Sequence, residues 1–169
     1  TDVLNPKWNN VSAKATATHV NSYLGNNGKI SFNVTPATVD TKTSFGLTKV
    51  LEGRDWTKED TFEFGLTSEN NAPMPESATA PVTVSVTEAS LIDKSKAAID
   101  FGTIEYREPG TYIYKVSEKN AGTTVDGIAY SKNVAKITVT VTPNKKGVLS
   151  ADVKVAWSEA GETEFKNVY

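Results

Sequence analysis

Pro109-Gly110-Thr111-Tyr112-Ile113-Tyr114-Lys115-Val116-Ser117-Glu118 opens on a turn dipeptide and then alternates. Successive side chains of an extended chain point to opposite faces, so Tyr112, Tyr114 and Val116 share one face and Lys115 and Ser117 the other. That pattern predicts a half-buried strand. It recurs along the chain. Ile30, Phe32 and Val34 alternate with Ser31 and Asn33. Phe62, Phe64 and Leu66 alternate with Glu63 and Gly65. Val82, Val84 and Val86 alternate with Thr83 and Ser85. Ile137, Val139 and Val141 alternate with Thr138 and Thr140, and Val153, Val155 and Trp157 with Lys154 and Ala156. Helical periodicity is nearly absent; Thr87–Lys96 has room for one short helical turn. Turn signals at Asn26-Asn27-Gly28, Pro109-Gly110, Asp126-Gly127 and Asn144-Lys145-Lys146-Gly147 separate the strands. Ser68–Pro81, rich in Asn, Pro and Ala, reads as a long surface loop. Many short strands joined by such turns predict an all-β sandwich or barrel.

A boundary is expected near Pro36–Thr43. Residues 1–40 read as an N-terminal β-hairpin segment around Asn26-Asn27-Gly28, either extra strands of one domain or the tail of a preceding one. Residues 41–169 read as the main domain. The chain begins at Thr1 without a signal peptide or sorting signal, so it is expected to be a fragment of a larger protein.

Composition narrows the function classes. The chain has 169 residues, 38% hydrophobic and 22% charged, with a formal net charge of −2 and both signs interspersed. No basic stripe suggests a nucleic-acid surface. No basic amphipathic helix, and no apolar run near the roughly 20 residues of a membrane span, suggests membrane contact by this fragment. There is no cysteine and a single histidine, His19, which argues against disulfides, thiolate metal sites and histidine-based catalysis. No metal or other cofactor is expected. Glu59/Asp60 and Glu162/Glu164 read as solvated surface charge. Asn10-Val11-Ser12 and Asn33-Val34-Thr35 match a glycosylation sequon, a short pattern that arises by chance.

Three polar residues stand at apolar strand positions. Lys49 shares a face with Leu47 and Leu51, Glu118 with Tyr112, Tyr114 and Val116, and Asn167 with Phe165 and Tyr169. Lys115 and Lys166 fall on the opposite faces of the same strands. Burying a lysine, a carboxyl and an amide singly is costly, but together they can satisfy one another. Burial lowers a lysine pKa and raises a glutamate pKa. A neutral amine held against an amide, with a carboxyl to move protons, has the parts for forming an amide bond with loss of ammonia. Two other readings stand beside this one: a partly solvated Lys49, or a plain buried ion pair hydrogen-bonded to Asn167.

At these residues the chain resembles the isopeptide-linkage domain of Gram-positive, streptococcal-type backbone pilins and multidomain surface adhesins. The resemblance runs from about Ser44 to Tyr169. Leu47-Thr48-Lys49-Val50-Leu51-Glu52-Gly53-Arg54-Asp55-Trp56 resembles the first strand, which supplies the lysine. Phe62-Glu63-Phe64-Gly65-Leu66 resembles the next strand. Glu108–Glu118 resembles the turn and strand that end in the catalytic glutamate. Phe165-Lys166-Asn167-Val168-Tyr169 resembles the last strand, which supplies the asparagine. Asp126-Gly127-Ile128-Ala129-Tyr130 fits the family's intervening turn. Each motif is weak alone; their order and spacing give the resemblance its force.

The resemblance implies an immunoglobulin-like β-sandwich whose first and last strands are joined by a Lys49–Asn167 isopeptide bond, with Glu118 as proton shuttle. Leu47, Leu51, Phe62, Phe64, Tyr112, Tyr114, Phe165 and Tyr169 would form the supporting apolar face. It implies a structural stalk or shaft module outside the cell, anchored to the wall through another part of the parent protein. Its partners would be neighbouring domains of that protein, other pilin subunits or a host ligand. The chemistry would occur once, on the chain itself, so the module is not expected to be a turnover enzyme. A ligand-binding adhesin module on the same scaffold is the alternative. Trp8, Trp56 and Trp157 are its candidate stacking residues, although the strand phase of Trp157 and the setting of Trp56 favour packing roles for both.

Overall fold

The computed structural model describes residues 34–169. The expected hairpin around Asn26-Asn27-Gly28, His19, Trp8 and both sequon asparagines lie outside the described residues. Twelve strands follow in order: β1 (Ala37–Asp40), β2 (Thr48–Glu52), β3 (Thr61–Ser68), β4 (Val82–Thr87), β5 (Lys96–Ala98), β6 (Thr103–Tyr106), β7 (Gly110–Glu118), β8 (Thr124–Val125), β9 (Ile128–Ala129), β10 (Val134–Pro143), β11 (Leu149–Trp157) and β12 (Phe165–Val168). One helical turn, α1 (Thr41–Ser44), is capped by the Asp40 carboxylate, which accepts from the Lys42 N–H at 3.0 Å. A 3₁₀ turn at Glu88–Ser90 lies within the stretch expected to form a short helical turn.

Two five-stranded sheets make the sandwich, in the orders β11-β10-β7-β3-β4 and β5-β2-β12-β9-β8, and β1 pairs with β6 beside them. The first sheet is antiparallel throughout. Its register sets Tyr114 opposite Ile137, Val116 opposite Ala135 and Leu66, and Phe62 opposite Val86. The apolar phase read from each strand thus becomes one inward face. Lys115 and Ser117 of β7 are exposed, and Tyr114 and Val116 are buried. In the second sheet, β2 and β12 run parallel. Among the described residues, the first strand of the two large sheets and the last are therefore hydrogen-bonded neighbours.

Three local departures from the sequence reading have physical causes. Ala37–Asp40 reads with the N-terminal segment, but these four residues pair with β6, and residues Thr35–Tyr169 form one compact unit. Ala37 and Val39 place their small apolar faces in the core. The Ser68–Pro81 loop also enters the core: Ala72 and Met74 are buried, and the Tyr114 hydroxyl donates to the Pro73 carbonyl at 2.6 Å. Finally, β2 does not alternate, because Val50 is buried as well as Lys49 and Leu51.

The turns follow their chemistry. Asp126 (φ 48°) and Gly127 (φ 82°) make the two-residue link between β8 and β9, which requires positive φ at both positions. Trp56 plugs the core: it is buried, meets Phe62 edge-on at 5.2 Å and donates its Nε1–H to the Ser95 carbonyl. Trp157 packs edge-on against Phe165 at 5.1 Å.

Candidate functional site

The fold brings Lys49, Glu118 and Asn167 together between the two sheets. Lys49 lies on β2 and Asn167 on its parallel neighbour β12. Register sets Lys49 opposite Phe165 and Asn167 opposite Leu51, so the two polar residues are diagonal neighbours. Glu118 ends β7 and reaches them from the facing sheet. The residues are 0%, 3% and 0% exposed, respectively, so bulk water does not reach them.

Their hydrogen bonds form a short chain. Lys49 Nζ donates to Glu118 Oε1 at 2.7 Å, and Asn167 Nδ2 donates to the same oxygen at 3.0 Å. The Ser131 backbone N–H donates to Asn167 Oδ1 at 2.8 Å. Glu118 Oε2 has no hydrogen-bond partner among the described residues. The Ser131 N–H and the Glu118 carboxylate fix the orientation of the Asn167 amide, since one requires an acceptor and the other a donor.

Aromatic rings wall in the amine. Lys49 Nζ lies 4.4 Å from the Phe62 ring centroid, 5.7 Å from Tyr130 and 6.0 Å from Phe64. Burial lowers the Lys49 pKa from 10.5 to about 8, an effect the neighbouring Glu118 only partly offsets. Burial also raises the Glu118 pKa above 4.5, against the opposing pull of Lys49 and Asn167. The two values move toward each other. Passing the proton from ammonium to carboxylate is therefore much easier here than in water.

Most of the expected apolar face surrounds the site. Leu47, Leu51, Phe62, Phe64, Tyr114 and Phe165 are buried. Tyr112 is half-buried and packs 4.9 Å from the Tyr106 ring. Tyr169 departs from the expectation at 58% exposed. It follows the last residue of β12, and its ring lies over the Arg54 guanidinium at 4.9 Å rather than facing the core. Its N–H donates to the Glu52 carbonyl. Gly53, at φ 95°, lies against this backbone, where a Cβ would collide with the Tyr169 carbonyl oxygen.

Two groups escaped the sequence reading. Ser131 touches the site through its backbone, which no side-chain pattern announces. Asp60 is not solvated surface charge: it receives both terminal nitrogens of Arg54 at 2.7 and 2.8 Å and the Thr57 N–H at 2.7 Å. This closes the β2–β3 connection. Among the described residues, no group of three or more histidine or carboxylate side chains is placed to hold a metal ion, and no helix is long and apolar enough to cross a membrane.

Residues 45–169 match the family model described as FctA, the Spy0128-like isopeptide containing domain. The chain belongs to this family. The matched span contains Lys49, Glu118 and Asn167. Among solved structures, the chain is similar to the major pilin of Streptococcus pyogenes, at 20% identity and a TM-score of 0.46, over 81% of this chain and 51% of that one. It is also similar to the T-13 major pilin of Streptococcus pyogenes, at 18% identity and a TM-score of 0.44, over 82% of this chain and 53% of that one. The chain thus spans about half the length of these pilins. No curated protein matches it.

Proposed function

We propose that this module is a tension-carrying shaft element of a bacterial surface pilus, closed by an amide bond that Lys49 and Asn167 form without an external enzyme. The observation that carries the reading is the buried chain Lys49 Nζ–Glu118 Oε1–Asn167 Nδ2. A proton passes from the Lys49 ammonium to Glu118, leaving a neutral amine beside the Asn167 amide. The Nζ lone pair attacks Cγ, and the C=O π pair moves onto Oδ1. Glu118 delivers a proton to Nδ2, the Cγ–Nδ2 bond breaks, and ammonia leaves. Glu118, returned to the carboxylate by that transfer, takes the second Nζ proton as the intermediate collapses, so one amide and one amine become one amide and ammonia and Glu118 ends protonated. Packing holds the reactants together, which replaces the strong catalyst this sluggish exchange needs in water.

The setting supports the same reading. Family membership and the pilin relatives favour a cell-surface role, with neighbouring domains and other pilin subunits as partners. A wall anchor would come from another part of the parent protein. The product closes a loop of 118 residues (167 minus 49). On the chain-entropy account, a cross-link around a loop near 100 residues stabilises by roughly 4.7 kcal/mol. It does so without cysteine, hence without dependence on an oxidising compartment.

Intact mass spectrometry of the folded protein tests the reaction. The mass should fall below the sequence mass by about 17 Da, one ammonia. Folded protein at the full sequence mass overturns the proposal.

A further inference from the structure

We propose that the Ser131 backbone N–H is the oxyanion donor for this cross-linking reaction; the inference rests on the reading above. During attack, negative charge develops on Asn167 Oδ1. The only hydrogen bond to that oxygen among the described residues comes from Ser131, at 2.8 Å. Glu118 instead faces the Nδ2 side of the amide. The two partners therefore divide the work: Glu118 moves protons between the incoming and departing nitrogens, and Ser131 holds the oxygen. A carboxyl engaged with the two nitrogens need not also polarise the carbonyl.

The donor is fixed before reaction, as effective charge stabilisation requires. Ser131 lies in the link between β9 and β10, where its N–H has no strand to pair with. On one side, the Tyr130 N–H donates to the Thr123 carbonyl, and the Tyr130 carbonyl accepts from Gly122. On the other, Ser131 Oγ accepts from the Asn133 N–H at 3.1 Å. Asn133 is itself buried. Its Oδ1 accepts from the Val134 N–H, the Ser158 hydroxyl and the Glu159 N–H, and its Nδ2 donates to the Glu164 carbonyl. Glu164 immediately precedes β12, the strand that bears Asn167. The donor segment is thus tied to the same strand as the carbonyl it serves.

In the reaction, the C=O π pair moves to Oδ1 as the Nζ–Cγ bond forms, and the Ser131 N–H receives the charge without giving up its proton. On collapse the pair returns to C=O, and the Cγ–Nδ2 bond breaks. The new amide retains Oδ1 and its hydrogen bond.

A full-length chain made by semi-synthesis, with the α-hydroxy analogue of serine at position 131, replaces this one N–H by an ester oxygen. Ammonia loss is followed by intact mass after refolding. The ester chain should react about 100- to 1,000-fold more slowly than the amide chain. The same ester in a Lys49→Met background reads its effect on folding alone, and the folded fraction under the reaction conditions should match that of the Lys49→Met amide chain. An ester chain that reacts as fast as the amide chain overturns the Ser131 assignment and leaves the cross-link standing. Slow reaction matched by an equal loss of folded protein in the Lys49→Met background also overturns it. An amide chain that folds and never loses ammonia overturns both.

Discussion

Lys49 and Asn167 occupy diagonal positions on adjacent parallel strands, Lys49 opposite Phe165 and Asn167 opposite Leu51. Parallel strands at the two ends of a domain meet tension in shear, with the hydrogen bonds between them loaded together. A bond between Lys49 and Asn167 places a covalent crossing inside that pair. Tension entering before β2 and leaving after β12 then bypasses the enclosed strands. Stretching between attachment points at Thr35 and Tyr169 should show no release of the 118-residue loop (167 minus 49). Lys49→Met, lacking the amine, should release it. At about 3.3–3.6 Å per residue, that adds roughly 400 Å of chain. Equal extension in both proteins would refute the proposed force path.

The amine and the carboxyl are unequal partners once one is removed. Glu118→Gln keeps the shape and some hydrogen bonding but cannot accept the Lys49 proton. The variant should retain the full sequence mass. It also leaves a buried ammonium without its counter-charge, a change that typically destabilises by about 3–5 kcal/mol. Lys49→Met/Glu118→Gln lacks both the bond and the charge, and so isolates that penalty. Denaturant unfolding at pH 7 should rank the single variant below the double. A single variant as stable as the double would mean that Lys49 reaches solvent there.

The site was legible where side-chain phase carries the information. Lys49, Glu118 and Asn167 each interrupt an apolar strand face, and all three are buried together. Phase failed where neighbours distant in sequence decide the outcome. Val50 occupies the polar phase of β2 yet is buried. Tyr169 has the apolar phase of β12, but the strand stops one residue earlier and the ring turns to Arg54. Asp60 beside Glu59 reads as surface charge until Arg54 folds back onto it. Ser131 acts through its backbone and Asn133 through a web of partners on three segments, which no local pattern encodes. The sandwich itself was clear from alternation and turns, whereas β1 was too short to declare its pairing with β6.

The pH dependence of cross-linking follows from the one proton shared by Lys49 and Glu118. Below the raised Glu118 pKa both groups are protonated, and the amine has no base. Above about 8, where Lys49 loses its proton, the pair retains none to give the departing nitrogen. The rate of ammonia loss should therefore be bell-shaped and fall on the alkaline side near pH 8. Stability of the unreacted site carries its own sign. In Asn167→Ala, unfolded Lys49 keeps its proton up to about 10.5 while folded Lys49 loses it near 8. The unfolded state binds more protons across that window, so stability rises with pH there. Glu118 acts oppositely: from 4.5 up to its raised value the folded state holds the extra proton, and stability falls as pH rises. Unfolding curves measured against Asn167→Ala/Lys49→Met should isolate the alkaline rise; identical pH profiles would contradict it.

Phe62 tests whether the aromatic enclosure, rather than proximity alone, prepares the amine. Its ring centroid lies 4.4 Å from Lys49 Nζ and packs against Trp56 and Tyr130. Phe62→Ala should destabilise by about 3–5 kcal/mol through lost burial and the cavity left behind. Water entering that cavity would solvate the ammonium and move the Lys49 pKa back toward its ordinary value. Two effects then separate. Phe62→Leu fills most of the space with apolar atoms and should keep most of the cross-linking rate, although it lacks the ring face. Phe62→Ala should slow ammonia loss even at temperatures where the variant remains folded, with a lower rate plateau whose alkaline fall moves above pH 8 toward the relaxed lysine pKa. If Phe62→Ala, fully folded, cross-links as fast as the unmodified chain at neutral pH, desolvation of Lys49 does not drive the reaction. Positioning by β2 and β12 alone would then have to account for it.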